Sequence, residues 1–225
     1  MCGIAGYVGR FEPTLLGRMN RAQGHRGPDG SGEWHDAQAG LAHVRLAILD
    51  LSSTGAQPMA DASGRVVLSF NGEIYNYREL RVGLERDGVV FRGDSDTEVL
   101  ANLLARHGRA CLPKLNGIFA FAAWFPGERK LLLARDAAGV KPLYWTTTPQ
   151  GRLFASELKA FRGIAGIDWS LDPTAVAAYL TLLYAPGELT PAKGVRKLTP
   201  GSYLEWDADG ATHGGSFVAP HYSAE

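Results

Sequence analysis

The sequence predicts an α+β protein built as a layered sandwich, with helices outside antiparallel sheets. Residues 118–125 are apolar at both odd and even positions, which indicates a strand buried on both faces. Three short strands follow between residues 130 and 155, and their close spacing favours antiparallel meanders over crossover units. Two helical patterns, 77–86 and 97–107, precede them and are expected to cover the sheets.

The amino-terminal part alternates apolar strands with polar loops. Strands are predicted at residues 3–9, 46–51 and 66–70, where small or branched apolar residues dominate. A short helix is predicted after Pro13, a residue that favours the first turn of a helix. The segment 25–32 is rich in Gly and Pro and is expected to lack regular structure.

The carboxy-terminal part begins with a helix and ends without a clear pattern. A helix is predicted near residues 173–183 and a last strand at 202–206. From Ala208 onwards the chain is expected to be weakly structured. We therefore expect one domain over residues 1–207 and a tail over 208–225.

Composition and charge restrict the classes of function. The 225 residues include 23 basic and 23 acidic side chains, so no global field attracts nucleic acid or an anionic membrane. The sequence shows neither a secretory leader nor an apolar run near the roughly 20 residues that span a bilayer. Two cysteines, Cys2 and Cys111, argue against a secreted disulfide scaffold, and Cys111 is expected to be a core thiol. We expect a cytoplasmic protein without nucleic-acid or membrane partners.

Cys2 is the first candidate for chemistry. Removal of Met1 would place a thiol and a free α-amine on the same residue. An α-amine, with a pKa of about 7.7 to 8.0, can accept the thiol proton near neutral pH, directly or through a water. The alternative for a cysteine at this position is a small apolar residue that begins a strand. The surrounding sequence favours a nucleophile.

Polar residues follow an apolar strand at Asn71, Gly72 and Glu73. An Asn side-chain N–H and a Gly backbone N–H can point at one position, and paired donors of this kind stabilise a tetrahedral oxyanion. An Asn-Gly pair by itself is most often a turn. Both interpretations stay open on this motif alone.

Arg45 and Asp96 are candidates for binding a free amino acid. A guanidinium binds a carboxylate through two hydrogen bonds, and a carboxylate binds an ammonium group. Taken singly, Arg45 is also consistent with a surface ion pair. Asp96 is likewise consistent with a helix N-cap, a role that Asp94 or Ser95 fills equally well.

Motifs for several other chemistries are missing from the sequence. It has no Walker loop, no dinucleotide-binding glycine fingerprint, no His-Glu-x-x-His and no Cys-x-x-Cys. The common phosphate and zinc sites are therefore not expected, and no metal ligands are predicted. His25 and His43 are expected to be structural hydrogen-bonding residues.

Nine short motifs follow one another along the chain. They lie at residues 1–6, 26–30, 41–46, 71–76, 95–98, 115–121, 135–144, 155–160 and 198–203. Together and in this order they resemble the class II glutamine amidotransferase domain of the glutamine-hydrolysing asparagine synthetases. The Arg-Gly-Pro-Asp-Gly and Asn-Gly-Glu-Ile-Tyr-Asn motifs resemble this branch more than the sugar-phosphate or purine amidotransferase branches.

The resemblance implies a fold and a reaction. The fold is that of the N-terminal-nucleophile hydrolases, a four-layer αββα sandwich of two antiparallel sheets flanked by helices. In the implied reaction, Cys2 attacks the side-chain amide of glutamine while Asn71 and Gly72 stabilise the oxyanion. A γ-glutamyl thioester forms as ammonia leaves, and water then releases glutamate.

The resemblance also implies how the substrate is held. Arg45 would bind the glutamine carboxylate, and Asp96 with help from Glu73 would bind its α-ammonium group. Arg26 would brace the loop that carries the nucleophile. The pocket would also be lined by the backbone of Leu46, Ala47, Ile48 and Leu49.

Members of this family continue into an ATP-dependent synthetase domain with a Ser-Gly-Gly-x-Asp-Ser pyrophosphate loop, which this sequence lacks. The implied glutaminase domain, residues 1–207, needs no cofactor, and ATP and Mg are expected only in the missing synthetase part. Residues 208–225 would be a tail or the start of a linker to it. The implied partners are L-glutamine and an ATP-using synthetase domain or subunit, with a homodimer as an option.

Two other functions stay open. One is an amidase of the same fold that acts on another amide, for which Arg45 would have no free carboxylate to bind. The other is a non-catalytic domain that senses glutamine or serves as a scaffold. The joint presence of a nucleophile, oxyanion donors and an amino-acid clamp favours the glutaminase. Its activity requires removal of Met1, because a blocked amine cannot act as the base.

Overall fold

The computed structural model describes residues 1–48 and 51–218. Within them the strands, in chain order, are β1 (Gly3–Gly9), β2 (Gly30–His35), β3 (Ala39–Arg45), β4 (Met59–Ala60), β5 (Val67–Ile74), β6 (Gly117–Phe125), β7 (Lys130–Arg135), β8 (Tyr144–Thr148), β9 (Gly151–Ala155), β10 (Val195–Lys197), β11 (Ser202–Asp207) and β12 (Thr212–Ser216). The helices are α1 (Thr14–Gln23), α2 (Tyr77–Arg86), α3 (Asp96–His107) and α4 (Pro173–Leu182).

The strands form two sheets whose pairings are all antiparallel within the described residues. The strand order is β10-β8-β9-β1-β3-β2 in the first sheet and β12-β11-β7-β6-β5-β4 in the second. The closely spaced strands β6 and β7, and likewise β8 and β9, are hairpin neighbours. The predicted antiparallel meander is therefore confirmed.

Three buried apolar clusters connect four layers. Ile4, Leu41 and Trp124 belong to a cluster that fills the space between the two sheets. Phe70 of the second sheet packs in a cluster with Leu100 of α3, and α1 packs on the outer face of the first sheet. The molecule is the predicted four-layer αββα sandwich. Burial of β6 on both faces explains why residues 118–125 are apolar at both odd and even positions.

The strand predicted at residues 46–51 is wrong. The strand in this region is β3, and Leu46, Ala47 and Ile48 follow it without regular structure. β3 pairs with β1 and β2 on its two sides, and the β2 pairing starts with Gly30 opposite Arg45, so the strand ends there. Leu49 lies outside the described residues.

Part of the predicted Gly-rich loop at 25–32 is also a strand. β2 begins at Gly30 and runs along the edge of the first sheet. A Cβ at Gly32 would lie 2.1 Å from the carbonyl oxygen of Gln57. The glycine therefore permits close packing at this edge, which the local sequence does not distinguish from a loop.

The tail predicted to be weakly structured from Ala208 contains β12. This strand pairs antiparallel with β11, with Tyr203 opposite Gly215. A Cβ at Gly215 would lie 3.0 Å from the Tyr203 hydroxyl. The glycines that suggested an irregular tail allow β12 to pair closely at the edge of the second sheet.

No helix within residues 1–48 and 51–218 has both the length and the apolar character needed to cross a membrane.

Candidate active site

Cys2 lies immediately before β1, opposite the end of β3. The pairing of Gly3 with Val44 brings the residue to the point where β3 ends. The Leu46 N–H donates to Cys2 Sγ at 3.4 Å, and the thiol lies 3.5 Å from the Leu46 carbonyl oxygen. The backbone after β3 therefore holds the sulfur in place. A Cβ at Gly3 would lie 2.9 Å from Val44 Cγ2, so this close approach needs glycine.

Arg26 contacts the nucleophile residue from behind. Its Nε donates to the Cys2 carbonyl oxygen at 2.9 Å, and its Nη1 donates to Glu157 Oε1 at 2.9 Å. Burial raises the pKa of Glu157, but hydrogen bonds from Arg26 and Lys159 outweigh it, so the pKa is lowered overall. Glu157 thus stays ionised as the partner of Arg26. The bracing role of Arg26 remains a prediction.

The free edge of β5 directs backbone N–H groups into the site. The Phe70 N–H donates to Gln57 Oε1 at 2.7 Å, and the Ile74 N–H donates to Asp96 Oδ2 at 2.9 Å. β4 pairs with only two residues of β5, so among the described residues this edge has no strand partner further along. Backbone groups of alternate residues point to the same side of a strand. The Gly72 N–H therefore lies on this edge, between those of Phe70 and Ile74.

Asn71 and Gly72 form part of a strand, so their interpretation as a turn is wrong. They pair with Ala120 and Phe119 of β6. Asn71 is 1 % exposed, and its Nδ2 has no hydrogen-bond partner among the described residues. A Cβ at Gly72 would lie 2.3 Å from the Ile118 carbonyl oxygen, so only glycine fits there.

The unpartnered Asn71 amide faces the sheet that carries the nucleophile. Ser69 lies on the same face of β5 as Asn71, since side chains two residues apart share a face. Ser69 Oγ donates to the Ala42 carbonyl oxygen of the first sheet at 3.0 Å. A buried donor without a partner costs free energy, which a bound acceptor would recover.

Asp96 is the first residue of α3, and Ser95 is the N-cap. The Ser95 hydroxyl accepts from the Glu98 N–H at 3.2 Å, so of the three N-cap candidates, Asp94, Ser95 and Asp96, it is Ser95 that caps the helix. Asp96 is 4 % exposed. Burial raises its pKa to about 6; the Ile74 N–H opposes this rise, and the nearby charge of Glu73 adds to it. The site thus contains a buried acidic group that a cationic ligand would stabilise.

Lys141 is a member of the site that the sequence analysis did not single out. It is 9 % exposed and lines the same pocket as Glu73. Burial raises the pKa of Glu73, and the positive charge of Lys141 opposes that rise. The Lys141 N–H donates to Asp136 Oδ2 at 3.1 Å, which fixes the turn that carries it. The only sequence signal was its place inside the 135–144 motif.

Arg45 is the last residue of β3, and the segment after it closes one side of the pocket. Arg45 Nη1 donates to the Ser52 carbonyl oxygen at 2.9 Å. The Ala47 N–H donates to Asp29 Oδ2 at 2.9 Å, so the Gly-Pro-Asp segment holds the backbone that follows β3.

One pocket brings the predicted residues together, except Leu49, which is not described, and Arg26, which lies behind Cys2. Predicted residues that line it are Cys2, Arg45, Leu46, Ala47, Ile48, Asn71, Gly72, Glu73 and Asp96. Further lining residues that were not predicted include Met1, Gln57, Ser95, Thr97 and Lys141. The described residues contain no group of three or more His, Cys, Asp or Glu side chains that could hold a metal ion.

A protein-family model described as a glutamine amidotransferase domain matches residues 1–217. The chain belongs to the glutamine amidotransferase domain family. The resemblance inferred from the nine motifs is therefore confirmed. The match also extends beyond residue 207 and includes β12 of this amidotransferase domain.

Relatives of this amidotransferase domain are longer proteins. It is 38% identical over 217 residues to asparagine synthetase [glutamine-hydrolyzing] 1 of Bacillus subtilis, covering 93% of this chain and 34% of that protein. It is 37% identical over 221 residues to amidase chry2 of Gibberella zeae, covering 91% and 32%. The chain thus spans about a third of the length of these curated relatives.

A solved structure supports the fold of this amidotransferase domain. Glutamine phosphoribosylpyrophosphate amidotransferase from B. subtilis, in complex with ADP and GMP, superposes with a TM-score of 0.73 at 22% identity. The match covers 98% of this chain and 50% of that chain. The predicted N-terminal-nucleophile hydrolase architecture is therefore confirmed.

Proposed function

We propose that this domain hydrolyses L-glutamine to L-glutamate and ammonia through a thioester on Cys2. The observation that carries the proposal is the convergence of three features in one pocket. They are the Cys2 thiol, the unpartnered buried amide of Asn71 beside the Gly72 N–H, and the buried carboxylate of Asp96. A nucleophile, two oxyanion donors and an ammonium-binding acid are what amide transfer from a free amino acid requires.

The reaction begins once Met1 is removed and Cys2 carries a free α-amine. The amine accepts the thiol proton, directly or through a water, and the sulfur attacks the glutamine side-chain carbonyl carbon. Asn71 Nδ2–H and the Gly72 N–H stabilise the negative oxygen of the tetrahedral intermediate. The protonated amine then donates its proton to the leaving nitrogen, the C–N bond breaks, and ammonia departs. The free amine then accepts a proton from water as the water oxygen attacks the thioester carbonyl carbon; the C–S bond breaks, glutamate leaves, and the proton returns to the Cys2 sulfur.

The charged ends of glutamine are held from two sides of the pocket, by Arg45 at the end of β3 and by Asp96 of α3 together with Glu73 of β5. Arg45 of the first sheet binds the α-carboxylate, and Asp96 with Glu73 binds the α-ammonium group. Lys141 supports this arrangement because its charge favours the ionised form of Glu73. Arg26 braces the backbone of Cys2 through its bond to the carbonyl oxygen.

The test combines intact mass with glutamate release. The purified chain is treated with 6-diazo-5-oxo-norleucine, a glutamine-like electrophile, and its mass is compared for the wild type, Cys2→Ala and Cys111→Ala. We expect a mature mass without methionine, one adduct in the wild type and in Cys111→Ala, and none in Cys2→Ala. Cys111 is the matched control because it is fully buried and burial raises its pKa to about 12.

Full glutamate release by Cys2→Ala would overturn the proposed mechanism. A chain that lacks Met1 and binds glutamine without releasing ammonia would instead support a non-catalytic glutamine-sensing domain.

The ammonia is destined, in this proposal, for an ATP-dependent amidation by a synthetase part, with aspartate as the acceptor by analogy with the asparagine synthetase relatives. ATP and Mg belong to that part, and the glutaminase chemistry itself needs no cofactor. The glutaminase domain then extends through β12 to about residue 217. We place this activity in the cytoplasm, in keeping with the free thiols of Cys2 and Cys111.

Helix α4 offers a surface on which the synthetase part can dock. Only Ala175 of this helix is buried. The exposed apolar side chains in this helix and next to it in the sequence include Trp169, Leu171, Tyr179, Leu180, Leu182, Leu183 and Tyr184. An exposed apolar patch of this kind marks an interaction site. The synthetase part is the proposed occupant because about two thirds of asparagine synthetase 1 of Bacillus subtilis lies outside the matched region, and the synthetase part must receive the ammonia.

An amidase acting on another amide is a second candidate, favoured by the similarity to amidase chry2. The two candidates differ at Arg45, which binds a free α-carboxylate only in the glutaminase. Arg45→Ala is expected to raise the KM for glutamine by roughly 10- to 100-fold, the loss of one charge-assisted interaction. An unchanged KM for the preferred substrate would favour the other amidase.

A further inference from the structure

The nucleophile and the oxyanion donors of the proposed site lie on different sheets. Cys2 precedes β1, whose ladder bonds run to β3 and β9 in the first sheet. Asn71 and Gly72 lie in β5, whose ladder bonds run to β6 in the second sheet. Ladder hydrogen bonds fix strands within a sheet, and apolar packing between sheets has no directional component. Another interaction must therefore set the distance between the sulfur and its oxyanion donors.

Two buried hydrogen bonds cross from one sheet to the other next to the site. Ser69 Oγ of β5 donates to the Ala42 carbonyl oxygen of β3 at 3.0 Å. His43 Nε2 of β3 lies 3.1 Å from the Phe70 carbonyl oxygen of β5. Ser69 and His43 are both 0 % exposed. We call these two bonds the cross-sheet clamp.

The clamp connects directly to the catalytic strands. His43 is opposite Ile4 of β1, two residues after Cys2, and precedes Arg45 by two residues on the same face of β3. Phe70 is the residue immediately before Asn71. A displacement of His43 relative to Phe70 would therefore change the spacing between the sulfur and the Asn71 amide.

The protonation state of His43 suits this role. The Phe70 carbonyl can only accept, so Nε2 carries the proton and the ring is the Nε2–H tautomer. Burial, together with the charge of Arg45, lowers the pKa of His43 to about 4 although the bond to Phe70 opposes the shift. The ring is therefore neutral at physiological pH and supplies one fixed donor.

We propose that His43 is a positioning residue for glutamine hydrolysis: with Ser69 it holds β5 against β3, so that the oxyanion donors are aligned with the Cys2 sulfur. This inference rests on the proposed function. It assigns a catalytic consequence to a histidine that does not itself line the pocket.

The test compares four variants of the mature chain. His43→Leu removes the donor and leaves the Phe70 carbonyl unpaired. His43→Gln restores an N–H at about the reach of the imidazole Nε2. Ser69→Ala removes the second bond, and Leu41→Val, on the same buried face of β3, is the matched packing control.

Three readouts separate positioning from general destabilisation. We measure kcat and KM for glutamine, the rate of Cys2 alkylation by iodoacetamide, and the melting temperature. Alkylation requires the thiolate but forms no tetrahedral oxyanion, so it reports on the sulfur alone.

The expected pattern is specific to kcat. A misalignment of about 1 Å costs up to roughly 100-fold, so His43→Leu is expected to lower kcat by roughly 10- to 100-fold while KM and the alkylation rate change by less than about threefold. Ser69→Ala is expected to have a smaller effect in the same direction, and His43→Gln to recover most of the loss. Leu41→Val is expected to lower the melting temperature with kcat retained.

Three results would overturn the inference. Retention of kcat by folded His43→Leu would exclude the positioning role while leaving the glutaminase proposal intact. A parallel loss of alkylation and turnover, also seen in Leu41→Val, would mean that His43 only supports packing. A wild-type chain without any glutamate release would instead overturn the proposed function and this inference with it.

Discussion

Asp96 shows how a single residue of the site trades stability for binding. The residue is 4 % exposed, and its carboxylate accepts from one backbone N–H outside the start of its own helix, that of Ile74. The ionised form is poorly solvated without a ligand, and for this reason its pKa is raised. A substrate ammonium group would supply the missing charge partner.

Asp96→Asn is expected to stabilise the ligand-free protein at pH 7. The pKa of Asp96 rises from 3.8 to about 6, which corresponds to about 1–3 kcal/mol of destabilisation above pH 6. Because the folded state binds the proton more tightly than the unfolded state, this penalty shrinks as the pH falls from about 6 and vanishes below about 4. Urea unfolding of both proteins at pH 7 and pH 4 measures it, and equal stability at pH 7 would contradict the expectation.

The same substitution is expected to weaken glutamine binding. Loss of the charged acceptor should lower kcat/KM by roughly 10- to 100-fold, the range for a hydrogen bond to a charged group. Steady-state assays of glutamate release provide the measurement. A variant that is both more stable and unchanged in kcat/KM would show that Asp96 does not contact the substrate.

Lys141→Met is expected to shift the pH dependence of glutamine binding. Without the Lys141 charge, burial raises the pKa of Glu73 further, so Glu73 becomes protonated at a higher pH. As the pH is lowered, protonation of Glu73 should weaken glutamine binding, and in Lys141→Met this weakening should begin at a higher pH than in the wild type. The dissociation constant for glutamine is measured by calorimetry in the Cys2→Ala background. Lys130→Met, which removes an exposed ion pair with Glu128, is the control and should leave the profile unchanged.

At the scale of elements, the start of α3 positions a site residue through its cap. Ser95 caps the helix, and the Glu98 carboxylate accepts from the backbone N–H groups of Arg92 and Gly93, both at 2.9 Å. The bond to Ser95 satisfies an N–H that the helix start leaves open, and the bonds to the Glu98 carboxylate hold the segment that precedes α3. They also fix the direction in which Asp96 enters the pocket.

Ser95→Ala is expected to cost about 0.5–2 kcal/mol of stability and to weaken glutamine binding as well. Asp172→Ala is the matched control, because Asp172 caps α4 by accepting from Thr174 and Ala175 away from the site. It should cost a similar amount of stability without changing KM. Thermal unfolding and the KM for glutamine are measured for both variants. An equal KM in the two variants would show that the α3 cap does not contribute to glutamine binding.

At the scale of the whole molecule, half of the large apolar side chains that remain exposed among the described residues lie between residues 169 and 184, in and around α4. Leu180 and Leu183 are 76 % and 79 % exposed, and both lie at the carboxy-terminal end of α4. The segment after α4 returns to the site end of the first sheet, where Lys197 of β10 pairs with Tyr144 and donates to the Ala185 carbonyl oxygen. A partner seated on this helix would therefore lie near the end of the sheet at which Cys2 is found.

Leu180→Asp with Leu183→Asp is expected to leave the isolated domain folded and active, since exposed substitutions change stability by about 0.5 kcal/mol or less. The change should reduce the binding of an apolar dye such as anilinonaphthalene sulfonate and any self-association seen by sedimentation velocity. Val90→Asp, at an equally exposed single valine, is the control. Unchanged dye binding would show that α4 does not form the apolar surface. A concentration-dependent dimer lost only in the double variant would favour a homodimer over the synthetase part.

The local patterns predicted most elements well, and the errors have a common origin. Strands β1, β6, β7 and β9 and the helices were predicted because apolar periodicity and capping residues are local signals. The errors at residues 30–32, 46–51 and 212–216 concern where a strand begins or ends, and strands β3, β4 and β10 were not predicted at all. The position at which a strand begins or ends depends on where its partner strand, distant in sequence, begins or ends.

The sequence by itself determined the residue types of the site, their order along the chain and the family, because these depend on identities that can be read locally. The tertiary structure decided which of them share a pocket and what they can donate. Gly72 presents its N–H because β4 stops short, and Lys141 lies near Glu73 because a turn held by Asp136 places it there. The bond between His43 and Phe70 joins residues of different sheets. Such pairings arise from packing between segments far apart in the chain, and local periodicity carries no information about them.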